Sequence, residues 1–297
     1  MFQGTATAII TPFDENLNVD YPALRNFTRF QIDIGINALV VLGTTGEAPT
    51  ITLDERKKIV ETVQAEVEGK VPVIIGTGTN DTKKVVELNK IAEEQKADGV
   101  LIVNPYYNKG TQSGLVEHYK YIAERTPLPI ILYNVPSRTA MNILPETALR
   151  IHEVSSNVVG IKEASGDISQ IAKLISMKPD NFNVYSGNDD QAFPVIALGG
   201  KGLVSVLSNV FPKETVALTD ALLSNDLVNA REINNEYLRF MNLLFIESNP
   251  QPVKYAVSLL GHCKNTLRLP LTPVSSNSMN LIKAEMEKLK SKVYEKY

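Results

Sequence analysis

The chain carries one cysteine, Cys263, in 297 residues. Without a second thiol no internal disulfide forms, and a reducing compartment, the cytoplasm, is the expected setting. There is no basic excess: Lys+Arg 30 against Asp+Glu 33 gives a net charge of -3. A surface that grips phosphates needs the opposite balance, so no nucleic-acid partner is expected. The apolar runs are short and broken by Gly or polar residues, so no membrane span is expected. Met1-Phe2-Gln3-Gly4-Thr5 lacks both the basic and the apolar stretch of a secretory signal, and none is expected. The three histidines (His118, His152, His262) belong to no H-E-x-x-H motif, and there is no C-x-x-C. No metal and no other cofactor is expected. A Walker A loop and a G-x-S-x-G elbow are also missing, which argues against P-loop and serine-hydrolase chemistry.

Apolar residues, by contrast, make up 43% of the chain, enough for a large core that needs no staple. A short apolar, β-branched run ending in Gly, Thr, Asn or Pro recurs eight times. The runs are Ala6–Ile10, Ala38–Leu42, Val71–Ile75, Gly99–Val103, Pro129–Tyr133, Val158–Lys162, Phe182–Ser186 and Gly202–Val206. Continuous runs of this length suit strands buried on both faces of a parallel sheet. Amphipathic stretches separate them. Thr52-Leu53-Asp54-Glu55 is a capping box ahead of Ile59, Val63 and Val67 on one helix face, and Asp81 opens another helix with Val85 and Leu88 inward. Eight such units predict a (β/α)8 TIM barrel over residues 1–224. A doubly wound sheet finds no support, because Gly76-Thr77-Gly78-Thr79-Asn80-Asp81 lacks the third glycine of the dinucleotide fingerprint. Residues 225–297 read as a helical C-terminal extension without chemistry of its own: Leu227 to about Leu244, Pro252 to Leu260, and a last helix with Ile282, Met286, Leu289 and Val293 on one face.

A barrel places its active site at the C-terminal ends of the strands. That rule selects Thr44, Thr45, the stretch Asn104 to Tyr107, Tyr133, Lys162 and Gly187. Strand alternation puts Val159 and Ile161 on one face, against the helices, and Gly160 and Lys162 on the other. Lys162 then points into the barrel mouth with little bulk beneath it. Desolvation lowers the pKa of a lysine, and the free amine is a nucleophile toward carbonyls; snorkelling to solvent or pairing with Glu163 are the alternatives. Tyr133 shares a face with Ile131 and reads either as a proton relay or as a core tyrosine. Gly43-Thr44-Thr45-Gly46-Glu47 is a turn whose hydroxyls and N–H groups suit a carboxylate or oxyanion. Arg138, just past the fifth strand, reads as a carboxylate clamp or a solvated loop charge. Asp189 and Asp190 read as a cation site or a helix cap.

Taken together, Gly43–Glu47, Asn104-Pro105-Tyr106-Tyr107, Tyr133–Thr139, Gly160–Ala164, Tyr185–Asp190, Asn249-Pro250 and Leu267–Pro270 resemble the dihydrodipicolinate synthases (4-hydroxy-tetrahydrodipicolinate synthases). These are pyruvate-dependent class I aldolases, a superfamily that includes N-acetylneuraminate lyase. The resemblance spans essentially the whole chain. It implies that Lys162 forms a Schiff base with pyruvate, and that the derived enamine attacks L-aspartate 4-semialdehyde. It implies a proton relay of Tyr133, Thr44 and Tyr107, the last reaching in from a neighbouring subunit. It implies that Thr45 holds the pyruvate carboxylate, that Arg138 holds the semialdehyde carboxylate, and that Gly187 and Val204 line the site through their backbones. A homo-oligomer follows, a tetramer built as a dimer of dimers or else a dimer. The alternative is a sugar-acid lyase of the N-acetylneuraminate or 2-keto-3-deoxygluconate type, whose members share the lysine and tyrosine but lack the arginine. Lysine-inhibited members place histidines and an acidic residue around an effector pocket. Here Asn80 and Tyr106 match that pocket, while Leu53, Arg56 and Lys84 replace the other groups. The Lys84 ammonium beside the effector's own ammonium is repulsive, so little or no inhibition by lysine is expected.

Overall fold

The structure is a computed structural model that describes residues 1–295, with side chains described to residue 290. In chain order the strands are β1 (Gly4–Ala8), β2 (Ala38–Val41), β3 (Val73–Gly76), β4 (Gly99–Val103), β5 (Ile130–Asn134), β6 (Val158–Glu163), β7 (Asn183–Ser186) and β8 (Gly202–Ser205). All neighbours pair in parallel, and β8 closes on β1, so the sheet is a complete eight-stranded barrel. The helices are α1 (Tyr21–Ile34), α2 (Leu53–Val67), α3 (Thr82–Glu94), α4 (Gln112–Ala123), α5 (Pro136–Thr139), α6 (Pro145–Val154), α7 (Ile168–Met177), α8 (Ala192–Ala197), α9 (Pro212–Leu223), α10 (Leu227–Leu243), α11 (Gln251–Leu259) and α12 (Ser276–Glu295). The expected barrel with helices after its strands is therefore present, with one additional short helix, α5, directly after β5.

Each helix forms for a local reason. Thr52 accepts from the Glu55 amide while the Glu55 carboxylate accepts from the Thr52 amide, closing the capping box at the start of α2. Asp81 accepts from the Lys83 and Lys84 amides at the start of α3. Ile59, Val63 and Val67 are fully buried, as is Val85, so the predicted apolar faces meet the sheet. In α12, Ile282, Met286 and Leu289 are buried; the Val293 side chain lies outside the described residues.

Two apolar layers result. The outer one joins sheet and helices through residues such as Leu39, Val41, Ile75, Ile102, Leu132 and Ile161. The inner one fills the barrel with Ala6, Ala38, Val40, Ile74, Leu101 and Ile131. Phe2 plugs its lower end, stacked 4.3 Å from the Tyr185 ring, and the Tyr185 hydroxyl donates to the Phe2 carbonyl at 2.9 Å. With Phe2 over the bottom, the cavities at the barrel mouth lie at the C-terminal rim.

β6 departs from simple alternation. Ile130 pairs with Val158 but Ile131 pairs with Gly160, a bulge that takes up one residue. Val158 thereby faces the helices and Val159 packs against the inner layer. Val159 and Ile161 do not share a face, contrary to expectation, whereas beyond the bulge Ile161 faces outward and Lys162 inward. Gly160 has a different purpose from leaving room beneath the lysine: a Cβ there would stand 2.4 Å from the Asn183 carbonyl of β7.

Among the described residues no helix is long and apolar enough to cross a membrane.

Candidate active site

A cavity of about 270 Å³ opens at the C-terminal rim, lined among others by Thr44, Thr45, Tyr133, Arg138, Lys162, Gly187 and Asn249. Lys162, the penultimate residue of β6, is buried, with Nζ 4.2 Å from the centre of the Tyr133 ring on β5. The two residues are register partners across β5 and β6, so the contact follows from strand pairing. Among the described residues no carboxylate lies within ion-pair distance of Lys162 Nζ, which leaves the amine without a charge partner. Glu163 does not supply one. It points away from the cavity, where its carboxylate accepts from Asn134 Nδ2 at 3.0 and 3.1 Å and from the Ser165 amide at 2.9 Å. Burial raises its pKa, against the lowering effect of these donors. Gly187 is where the β7 backbone passes the lysine: a Cβ there would meet Lys162 Cε at 2.9 Å and Ala164 Cβ at 2.7 Å. A side chain at that position would displace the amine.

Arg138 sits on α5, and its Nη2 donates to the backbone carbonyl of Asn249 at 3.2 Å. Thr45 is buried, and its Oγ1 accepts from Asn249 Nδ2 at 3.1 Å. Asn249 lies between α10 and α11, so the C-terminal extension reaches the rim. Phe245, Ser248, Pro250, Pro270 and Leu271 also line this cavity or the larger one beside it. The extension thus helps build the site, which reading it as free of chemistry missed. The available signal was the pair Asn249-Pro250, which matched a family segment without a role attached. Asp189 is a structural cap and not a cation ligand: buried, it accepts from Ser205 Oγ and from the Val206 and Leu207 amides at 2.5 to 3.1 Å. It fixes the turn after β8 and with it Val206, which lines the cavity. Among the described residues no three His, Cys, Asp or Glu side chains gather as a metal would require.

The dihydrodipicolinate synthetase family model matches residues 1–289. The chain belongs to this family. It is 52% identical to the 4-hydroxy-tetrahydrodipicolinate synthase of Thermotoga neapolitana over 95% of this chain and 97% of that protein. It is also similar to the crystal structure of dihydrodipicolinate synthase from Thermotoga maritima, with a TM-score of 0.96 and 48% identity, covering 98% of this chain and 99% of that one. A monomeric dihydrodipicolinate synthase variant superposes with a TM-score of 0.94 at 48% identity, covering 96% of each chain.

The remaining positions singled out by the synthase resemblance scatter more widely. Tyr107 is 89% exposed, has a left-handed backbone (φ 70°), and does not line the cavity of its own chain. Thr44 and Tyr133 share the cavity, but their hydroxyls make no hydrogen bond to each other among the described residues. Val204 belongs to the inner layer below the cavity; Val206, further along the chain, forms the wall in its place. Of the effector positions, Arg56 and Tyr106 line the adjoining cavity of about 360 Å³. Arg56 is buried and donates to the Gly76 carbonyl at 2.8 Å. Burial lowers its pKa to about 10, so it stays cationic at neutral pH. Leu53 is exposed, the Asn80 carbonyl accepts from Asn108 Nδ2, and Lys84 pairs with Glu87 at 2.9 Å on the surface. Lys84 therefore lines neither cavity, contrary to expectation; Arg56 and Arg138 are the cations that line the adjoining one.

Proposed function

We propose that the chain condenses pyruvate with L-aspartate 4-semialdehyde to give 4-hydroxy-tetrahydrodipicolinate, the first committed step toward diaminopimelate and lysine. It is a Schiff-base-forming lyase of the dihydrodipicolinate synthase type. The observation that carries the reading is Lys162: a buried amine with no charge partner among the described residues, against the Tyr133 ring, in a cavity whose walls also hold Thr45 and Arg138.

In this reading the Lys162 amine adds to the pyruvate ketone, and the carbinolamine expels water to leave the imine. Loss of a proton from the pyruvate methyl group gives an enamine, whose carbon attacks the aldehyde of the second substrate. The amino group of that substrate then closes on the imine carbon and releases the lysine. Protons move through Tyr133 and Thr44, with Tyr107 supplied by a neighbouring subunit. Thr45 receives the carboxylate of pyruvate, and Arg138 the carboxylate of the semialdehyde. Gly187 and Val206 wall the bound intermediate. Arg138 also disfavours the sugar-acid alternative, since a polyhydroxyl tail does not call for a cation. Borohydride reduction in the presence of pyruvate is expected to fix an adduct mass on Lys162, followed by turnover with aspartate semialdehyde. No adduct, or turnover of sugar acids alone, overturns the reading.

The enzyme works as a homo-oligomer in the cytoplasm, and it is not inhibited by lysine. Arg56, largely stripped of solvent in the cavity wall, repels an ammonium more strongly than an exposed cation does. Millimolar lysine is expected to leave the initial rate unchanged; an inhibition constant below a millimolar would show the pocket to be functional.

A further inference from the structure

We propose that Asn249 is a positioning residue that turns the Thr45 hydroxyl toward the carboxylate of pyruvate. The inference rests on the reading of the cavity given above. Asn249 is 204 residues from Thr45 in sequence and buried, 4% exposed, at the wall of the cavity. Its Nδ2 donates to Thr45 Oγ1 at 3.1 Å. A hydroxyl has a single hydrogen and two lone pairs. With a lone pair engaged by the amide, Thr45 keeps its hydrogen, and no protein acceptor for it occurs among the described residues. The cavity is the side on which that hydrogen can be used, and an anion placed there receives it.

The orientation of the amide supports this direction. Oδ1 of Asn249 is buried without a partner among the described residues. Rotating the amide by half a turn would give that oxygen the Thr45 hydrogen but would orphan a buried NH2. Unsatisfied buried donors are rarer than unsatisfied carbonyl oxygens, so the arrangement with Nδ2 on Thr45 is the favoured one. The backbone carbonyl of the same residue accepts from Arg138 Nη2. A side-chain substitution at 249 leaves that second contact in place, so its effect on pyruvate separates from its effect on the semialdehyde.

The experiment measures the pyruvate concentration that half-saturates borohydride-trapped adduct, without the second substrate, in wild type, N249A, N249D, T45V and N249D/T45V. The carboxylate that N249D introduces only accepts, draws the Thr45 hydrogen to itself and leaves lone pairs facing pyruvate. N249D is expected to raise half-saturation by about tenfold or more and N249A by roughly threefold, the range of a lost charge-assisted hydrogen bond. The KM for the semialdehyde should move less than about twofold in N249A, a split that a general loss of structure does not produce. In the T45V background N249D should add less than about threefold, because the hydroxyl it acts through is gone. Thermal melts by circular dichroism establish that each variant folds; if N249D does not, N249A with and without T45V completes the same cycle. Wild type that traps no pyruvate overturns the reading of the cavity itself. Wild type that traps, with N249D at unchanged half-saturation or equally impaired in both backgrounds, overturns the role of Asn249 alone.

Discussion

His118 stands on α4 at 8% exposure, with Nδ1 2.9 Å from Thr82 Oγ1 and its ring edge-on to Tyr119. Nε2 is buried and has no partner among the described residues. Burial lowers its pKa from 6.5 to about 4, because a charged ring there would have a nitrogen donor with nothing to bond. The unfolded chain thus binds this proton at a higher pH than the folded one. The stability owed to the neutral ring is complete above pH 6.5 and is lost as pH falls toward 4. Between about pH 7.5 and 4.5 the wild type should lose on the order of 1–3 kcal/mol more than His118→Asn, which keeps a polar partner for Thr82 without titrating. Urea unfolding of both proteins across that range measures it, and parallel curves would refute the assignment. Such single-residue environments are what a sequence shows least. Lys162 and Tyr133 were legible because a strand end and a two-residue period place them; nothing local to His118 says that its second nitrogen is stranded.

At the scale of elements, α11 and the turn after β2 are joined by a buried ion pair. Lys254 Nζ is 2.5 Å from Glu47 Oε1, both side chains are at most 1% exposed, and the ammonium lies 3.8 Å from the centre of the Phe13 ring. Glu47 Oε2 also accepts from the Arg268 amide at 3.1 Å, and the Glu47 backbone is left-handed at φ 55°. Burial lowers the lysine pKa, against the raising effect of Glu47. Lys254→Met strands the Glu47 carboxylate and is expected to cost about 3–5 kcal/mol. Glu47→Gln combined with Lys254→Met should recover most of that loss, since burying neither charge is close to neutral. Chemical denaturation decides; a double variant as unstable as the single one would show that the site needs the pair for more than charge balance. Legibility in the sequence divides at this scale too. The eight strands were readable because each apolar run carries its own evidence for double-sided burial, and shifts of one or two residues at their ends come from pairing with neighbours. The β6 bulge was not readable, because Gly160 answers to the Asn183 carbonyl of another strand. Glu47 with Lys254, and Thr45 with Asn249, are separated by more than 200 residues, and no local pattern couples them.

For the molecule as a whole, the proposed relay leaves one member, Tyr107, outside the cavity of its own chain. Its neighbour Tyr106 lines a cavity of the same chain, while Tyr107, also in the loop after β4, is 89% exposed. A tyrosine so exposed has an apolar ring and a polar hydroxyl free to seat in a partner. If it completes the relay in a second copy, no single chain holds a whole active site, and the reaction depends on assembly. Mixing two inactive proteins tests the arrangement directly. Lys162→Ala lacks the amine but still presents Tyr107; Tyr107→Phe keeps the amine but lacks the phenol to lend. In a hybrid dimer, the Tyr107→Phe chain receives an intact Tyr107 from its partner, and one of the two sites is complete. Random reassortment of an equal mixture makes half the dimers hybrid, so activity should return to roughly a quarter of wild type, from two proteins with almost none. Were Tyr107 to serve the site of its own chain, each hybrid would hold one site without the amine and one without the phenol. The mixture would then stay as inactive as its components, at every ratio and after every incubation long enough to exchange subunits.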